Sequence, residues 1–144
     1  MWVSIFAKQM KKMRNLIGIL LVVMVSAGCA TKEEKARTNI TRAWRISKVF
    51  LNGNDVTSTY LESKVEYSLT FSNSGSFAES YRPFSGTDVL NVSGIWAFSD
   101  GINKVTLTSS SQTRLYQIDE LSQSNLNITD LDLSNNHEIQ FVPT

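Results

Sequence analysis

The sequence predicts an all-β fold: a small antiparallel up-and-down β-barrel of about eight short strands, with a β-sandwich as the alternative. Three observations carry this reading. Between Trp44 and Val142 apolar residues recur at every second position over short runs, the period of a half-buried strand. Turn signals such as Asn52-Gly53 and Asp100-Gly101 separate those runs, at intervals of about ten residues that suit sandwiches and barrels. No stretch keeps a sustained helical period, and the chain has only 2 prolines to interrupt a ladder. Consecutive hairpins favour the up-and-down arrangement, because closing it removes the unpaired edges.

Taken in order, the chain opens on a segment of a different kind. Lys8, Lys11, Lys12 and Arg14 precede a nearly unbroken aliphatic run from Leu16 to Val25, and no acidic residue accompanies them. These are the n-region and h-region of a signal peptide. The run is about half the 20 or so residues that a spanning helix needs. Translation starting at Met10 or Met13 instead of Met1 would leave the signal intact. Ser26, Ala27 and Gly28 are small residues that a signal peptidase accommodates, and Cys29 follows them directly. Residues 1–28 thus read as a lipoprotein signal peptide. Residues 29–42 then read as a lipidated polar tether, with at most a helical turn where Glu33 and Glu34 precede Arg37. The remaining residues, 43–144, make the β-domain.

Within that domain WRISKVFL, Trp44 to Leu51, is strand-forming and ends on the Asn52-Gly53 turn. Thr57 to Ser63 is the best helical candidate, with Thr59 and Glu62 spaced as a capping box. VEYSLTF alternates, so Val65, Tyr67, Leu69 and Phe71 share one face. SNSGS, Ser72 to Ser76, turns the chain into Phe77 to Tyr81. Arg82 to Ser93 is the longest link without clear structure, and Phe84, Val89 and Leu90 on it are candidate rim residues of a binding mouth, with Asn52 to Tyr60 as a second rim. GIWAFS places Trp96 and Phe98 on one face before the Asp100-Gly101 turn, and Val105 and Leu107 continue the pattern. In Arg114 to Leu121, Leu121 slips out of the register of Tyr116 and Ile118, which predicts a bulge near Asp119-Glu120. Leu126, Ile128, Leu131 and Leu133 change phase in the next run, and Ile139 to Val142 closes the domain.

Charge and cysteine content narrow the function. The full chain has 14 basic and 13 acidic residues; losing the four leader cations leaves 10 against 13, a mature net charge near −3. A weakly acidic surface without a basic stripe excludes a nucleic-acid partner. Cys29 is the only cysteine, so no internal disulfide forms, and its place behind the h-region points to lipidation rather than burial. Several acyl chains on it would anchor the protein durably in a membrane.

No catalytic residue is assigned. His137 is the sole histidine and sits in the polar run Ser134 to Glu138, which reads as a solvated turn; it cannot supply a zinc site alone. Asp130, Asp132, Ser134 and Asn136 lack the central glycine and closing glutamate of a calcium loop, so they read as a polar strand end. Asp119 and Glu120 are adjacent and project to opposite strand faces, which suits acid/base partnership poorly. Neither a metal nor a cofactor is expected. Three sequons, at Asn39, Asn91 and Asn127, are incidental in a bacterial lipoprotein.

The run from Ser26 to Cys29 resembles a lipobox, with Ser26 where an aliphatic residue usually stands, a relaxation similar to Bacteroides-type lipoproteins. Lys32, Glu33 and Glu34 resemble the signal that sends some of these to the cell surface. The series WRISKVFLNGNDVTSTY, YSLTFSNSGSFAESY, SGIWAFSDGINKVTLT and YQIDELSQSNLNI resembles the small lipocalin-like domains of Bacteroides-type putative lipoproteins, from Trp44 to about Phe141. The resemblance implies a compact barrel and no defined activity.

An eight-stranded barrel either fills itself with side chains or holds one small ligand. Trp44, Phe71, Phe77, Trp96, Phe98 and Tyr116 are large enough to fill it, and are the candidate core or pocket lining. The leading expectation is an outer-membrane lipoprotein, facing the periplasm or the surface, whose non-enzymatic barrel binds a small apolar or nutrient-related ligand through its interior or open end. The alternative is a filled barrel acting as an interaction subunit beside an envelope protein partner. A hydrolytic enzyme is a distant third.

Overall fold

The computed structural model describes residues 31–144; the segment expected to be a signal peptide, and Cys29, lie outside the described residues. The elements run α1 (Lys32–Ile40), β1 (Ala43–Leu51), β2 (Asn54–Asp55), α2 (Thr57–Ser63), β3 (Lys64–Phe71), β4 (Ser76–Pro83), β5 (Leu90–Ser99), β6 (Lys104–Ser109), β7 (Thr113–Leu121), β8 (Leu126–Asp130) and β9 (His137–Pro143). From β3 to β9 each strand pairs antiparallel with the next, and β1 pairs with both β3 and β9. The ring is therefore a closed antiparallel barrel of eight strands, with β2 a short spur on β1.

The turns follow the residues that make them cheap. Asn52 (φ 52°) and Gly53 (φ 80°) form the two-residue turn linking β1 to β2, the left-handed pair that a tight hairpin requires. At three hairpins of one end or the other a serine hydroxyl accepts the amide two residues on: Ser72 from Ser74, Ser109 from Ser111 and Ser122 from Ser124. Gly94 has a different reason. A Cβ there would lie 2.0 Å from the Thr108 carbonyl oxygen and 2.9 Å from the Phe77 ring, so β5 crosses β6 and the core too closely for any side chain.

Up-and-down connectivity puts three of the seven links at one end and four at the other. One end carries α1 and the turns after β3, β5 and β7. The other, the mouth, carries α2, residues 84–89, the β6–β7 turn and residues 131–136. Between them the core is apolar and tightly aromatic: Phe71 meets Trp96 edge-on at 5.5 Å, and Trp96 meets Phe98 at 5.2 Å. Trp96 also donates its indole N–H to the Ser72 carbonyl at 3.0 Å.

Several sequence-based expectations are corrected. Residues 32–40 are a helix that packs as part of the domain instead of a polar tether. Ala36 and Ile40, four apart and therefore on one face, are buried, Ile40 completely. Trp44 donates to the Ile40 carbonyl at 2.9 Å, and the Arg37 guanidinium lies 4.8 Å from the Trp96 ring. Helix α2 spans the expected residues but not with the expected cap: Thr59 plays no such role, and Asp55 accepts from the Thr57 amide and hydroxyl at 2.9 and 2.6 Å. Pairing reaches Pro83 on β4 and Leu90 on β5, which shortens the long link to residues 84–89. Strand β8 ends at Asp130, so Leu131 and Leu133 belong to a loop. The bulge expected at Asp119-Glu120 is present, between Ile118 and Glu120. Among the described residues no helix is long and apolar enough to cross a membrane.

Candidate functional site

Alternation in β4 places Phe77, Glu79 and Tyr81 on one face, and that face is the barrel interior. Glu79 is only 3% exposed. A carboxylate cannot be buried unless it is paired and hydrogen-bonded, and here the partners come from opposite walls. Arg114 on β7 donates Nη2 to its Oε2 at 2.6 Å. The Lys64 ammonium lies 3.8 Å from Oε1, within ion-pair range but beyond a hydrogen bond. It rests instead against rings, 4.7 Å from the centroid of Tyr81, 5.3 Å from Tyr60 and 5.6 Å from Tyr67.

This enclosure shifts its ionisable groups in consistent directions. Burial, with Glu79 adding to it, pushes the Tyr60 hydroxyl up to about 12. Burial likewise holds Tyr67 and Tyr116 neutral well beyond the usual phenol range. Burial opposes the charge on Arg114, but the Glu79 hydrogen bond and neighbouring groups outweigh it, so the guanidinium is held charged more firmly than usual. The space left among Tyr60, Tyr67, Glu79, Arg114 and Tyr116 is about 10 Å³, no more than one water occupies. The barrel axis is filled.

Open volume lies at both ends: about 360 Å³ between α1 and the neighbouring β5–β6 turn and β7, and a larger, more apolar groove at the mouth. Leu51, Val56, Thr59, Tyr60, Ser63, Leu133, Ser134, Asn135 and His137 line a groove of about 410 Å³, within the roughly 300–1,000 Å³ of small-molecule sites. It exists because β1 pairs with β3 only through Ala43 and Trp44; above that point the strands part and α2 fills the gap. The Tyr60 ring separates groove from interior, 5.5 Å from the His137 ring on one side and 5.3 Å from Lys64 on the other. His137 is half-buried at the start of β9, a correction to the solvated turn that its polar neighbours suggest. Its Nδ1 is buried and makes no hydrogen bond among the described residues. Burial lowers its pKa, Asp130 opposes that, and Lys64 reinforces it.

In sequence the chain matches no protein-family model and no curated protein. In structure it is similar to a lipocalin-like protein from Bacteroides uniformis, with a TM-score of 0.54 over 74% of this chain and 99% of that one, at 10% identity. The fold is lipocalin-like. At that identity the likeness speaks to the fold alone.

Within this lipocalin-like barrel Trp44, Phe71, Phe77, Trp96 and Tyr116 are buried and Phe98 packs against them, so the six aromatics serve as core rather than as lining of an open pocket. Phe84, Val89 and Leu90 are exposed, Phe84 at 80%, on the mouth end but outside the groove lining. The second rim stretch does contribute, through Val56, Thr59 and Tyr60. The lipocalin-like barrel holds no group of three or more potential metal ligands among the described residues. Asp119 accepts from Thr129, and Glu120 from Asn125 and Asn127, which commits both carboxylates to strand-end hydrogen bonds.

Sequence reasoning missed Lys64, Glu79 and Arg114. The spacing Phe77-Glu79-Tyr81 carries the signal for Glu79, since all three must share a face.

Proposed function

We propose that this chain is an outer-membrane lipoprotein, lipidated at Cys29, whose barrel is a non-enzymatic binding module that takes a small apolar ligand in the mouth groove. The observation that carries the reading is the contrast between an apolar groove of about 410 Å³ and an adjoining interior void of about 10 Å³. A small ligand has room in the mouth groove and none in that interior void. The basic leader, its short aliphatic run and the small residues before Cys29 support the anchor.

Titration with the neutral fluorescent probe N-phenyl-1-naphthylamine tests the groove. Emission should rise saturably with the soluble domain and fall severalfold for Leu133→Glu, a change at a half-exposed loop position that the core does not feel. Absence of saturable uptake, or uptake indifferent to Leu133→Glu, refutes groove binding. For the anchor, Cys29→Ala should move the protein from the membrane to the soluble fraction; unchanged fractionation refutes it.

A second reading, an interaction subunit that docks on an envelope protein, draws support from the filled axis and from exposed Phe84, Val89 and Leu90 on the mouth end.

A further inference from the structure

We propose that the α1 end of the barrel is a membrane-facing surface, apposed to zwitterionic phospholipid headgroups, and that the mouth groove therefore opens away from the bilayer. The proposal rests on lipidation at Cys29 and adds the direction in which the anchored barrel points.

Its basis is how little chain is left between the anchor and the fold. A tether of residues 29–42, about 14 residues at 3.3–3.6 Å each, would reach about 50 Å and let the barrel present any face. Helix α1 removes most of that reach. It starts at Lys32 and is fixed to the barrel: Ala36 and Ile40 are buried, Trp44 donates to the Ile40 carbonyl at 2.9 Å, and the Arg37 guanidinium lies 4.8 Å from the Trp96 ring. Just past the helix, the Thr41 hydroxyl donates to the Arg37 carbonyl at 2.7 Å and Arg42 donates to the Gln123 carbonyl in the β7–β8 turn. Only Ala30 and Thr31 separate Cys29 from Lys32, so an acylated Cys29 lies within about 11 Å of the start of the helix.

The position of α1 decides which end is held. Lys32, Lys35, Ala36 and Asn39 lie beside Ile102 and Asn103 of the β5–β6 turn and residues 118–121 at the end of β7, all opposite the mouth. From that end β1 climbs from Trp44 to Leu51 at the mouth, seven steps of about 3.3 Å, or about 17 Å along the axis at the usual barrel tilt. The connection is shorter than the barrel, so the barrel cannot turn end over end above its anchor. The surface chemistry agrees. Lys32 and Lys35 are exposed beside Glu33, Glu34, Asp119 and Glu120, a mixture of signs that suits headgroups carrying both a phosphate and an ammonium. Among the described residues the exposed large apolar side chains lie at the mouth or, for Ile95, on the wall, so this end rests on the headgroup layer without inserting.

Acylation consumes the only natural thiol, which leaves a single introduced cysteine to be labelled alone. Asn73→Cys, exposed in the β3–β4 turn, and Thr87→Cys, exposed at the mouth, each carry a donor dye on the full lipidated protein in phosphatidylcholine vesicles with acceptor-labelled headgroups. Energy transfer from position 73 should be at least threefold that from position 87. A flexible insertion of about 14 Gly and Ser residues between Thr31 and Lys32 should bring the ratio to about one. Urea midpoints close to that of the parent establish that the labelled variants are folded. Equal transfer from the two positions, or more from position 87, overturns the proposal and leaves the anchor intact. So does a ratio that the insertion does not move. If the protein fails to float with the vesicles, or Cys29→Ala floats equally well, the anchor reading falls and the proposal with it.

Discussion

Replacing Glu79 by glutamine keeps the shape of the side chain and removes its charge, which leaves the guanidinium of Arg114 without its counter-ion inside the barrel. Arg114 and Lys64 have side chains only 17% and 25% exposed, against 3% for Glu79, so water recovers little of the lost interaction. Breaking a buried pair from one side costs roughly 3–5 kcal/mol, and the partial exposure of the two cations places the expectation near the lower end, about 3 kcal/mol. With a urea m-value of about 1.5–2 kcal/mol/M for a domain of this size, the unfolding midpoint should fall by about 1.5–2 M. The double variant Glu79→Leu with Arg114→Met should recover most of that loss, because two packed apolar side chains need no counter-ion. Equilibrium urea unfolding followed by tryptophan fluorescence measures both. A Glu79→Gln midpoint within about 0.5 M of the parent would refute the claim that the pair is buried and mutually dependent, as would a double variant no more stable than the single.

Three further outcomes are expected. Gly94→Ala should cost about 3 kcal/mol or more, since a Cβ 2.0 Å from the Thr108 oxygen forces β5 and β6 apart, whereas Gly86→Ala, whose Cβ meets Pro83 at 3.6 Å, should lie within about 0.5 kcal/mol of the parent; urea midpoints compare them. Ile40→Ala should cost about 2–4 kcal/mol because the side chain is fully buried, while a free tether would show no change. Stability should be flat from about pH 8 to about 10, above the histidine range, and decline beyond it: Tyr60, Tyr67 and Tyr116 have raised pKa values in the fold and ionise near 10.0 when unfolded, so above that point the unfolded chain sheds protons first. Tyr67→Phe should flatten the decline, and an identical pH profile in that variant would contradict the assignment.

The barrel was legible because each strand advertises its inner face by alternation and each turn by residues that tolerate left-handed or hydroxyl-bonded backbone. What escaped shares one cause, local exceptions to that alternation. In β3 the simple period puts Val65, Tyr67, Leu69 and Phe71 inside and Lys64 outside. The register shifts between Val65 and Ser68, with Glu66 at φ 58°, and that bulge turns Val65 outward to 37% exposure and brings Lys64 in among the tyrosines. Nothing in VEYSLTF marks the bulge. Glu79 was missed for a different reason: its spacing from Phe77 and Tyr81 was visible, but a strand glutamate is read as solvent-facing until partners are known, and Arg114 lies 35 residues away. Helix α1 escaped because only Ala36 and Ile40 of its nine residues are buried, too few to create a period. His137 was hidden by polar neighbours that occupy the loop while it begins the strand.

The ring is sealed by β1 and β9, which pair from Trp44 with Pro143 to Leu51 with His137. The first strand of the barrel therefore waits for the last. During synthesis β1 has one long ladder partner missing until β9 is made, so closure depends on a contact between segments far apart in sequence, a topology that folds slowly. Whatever order the intervening strands take, the barrel cannot lock until β9 has reached β1.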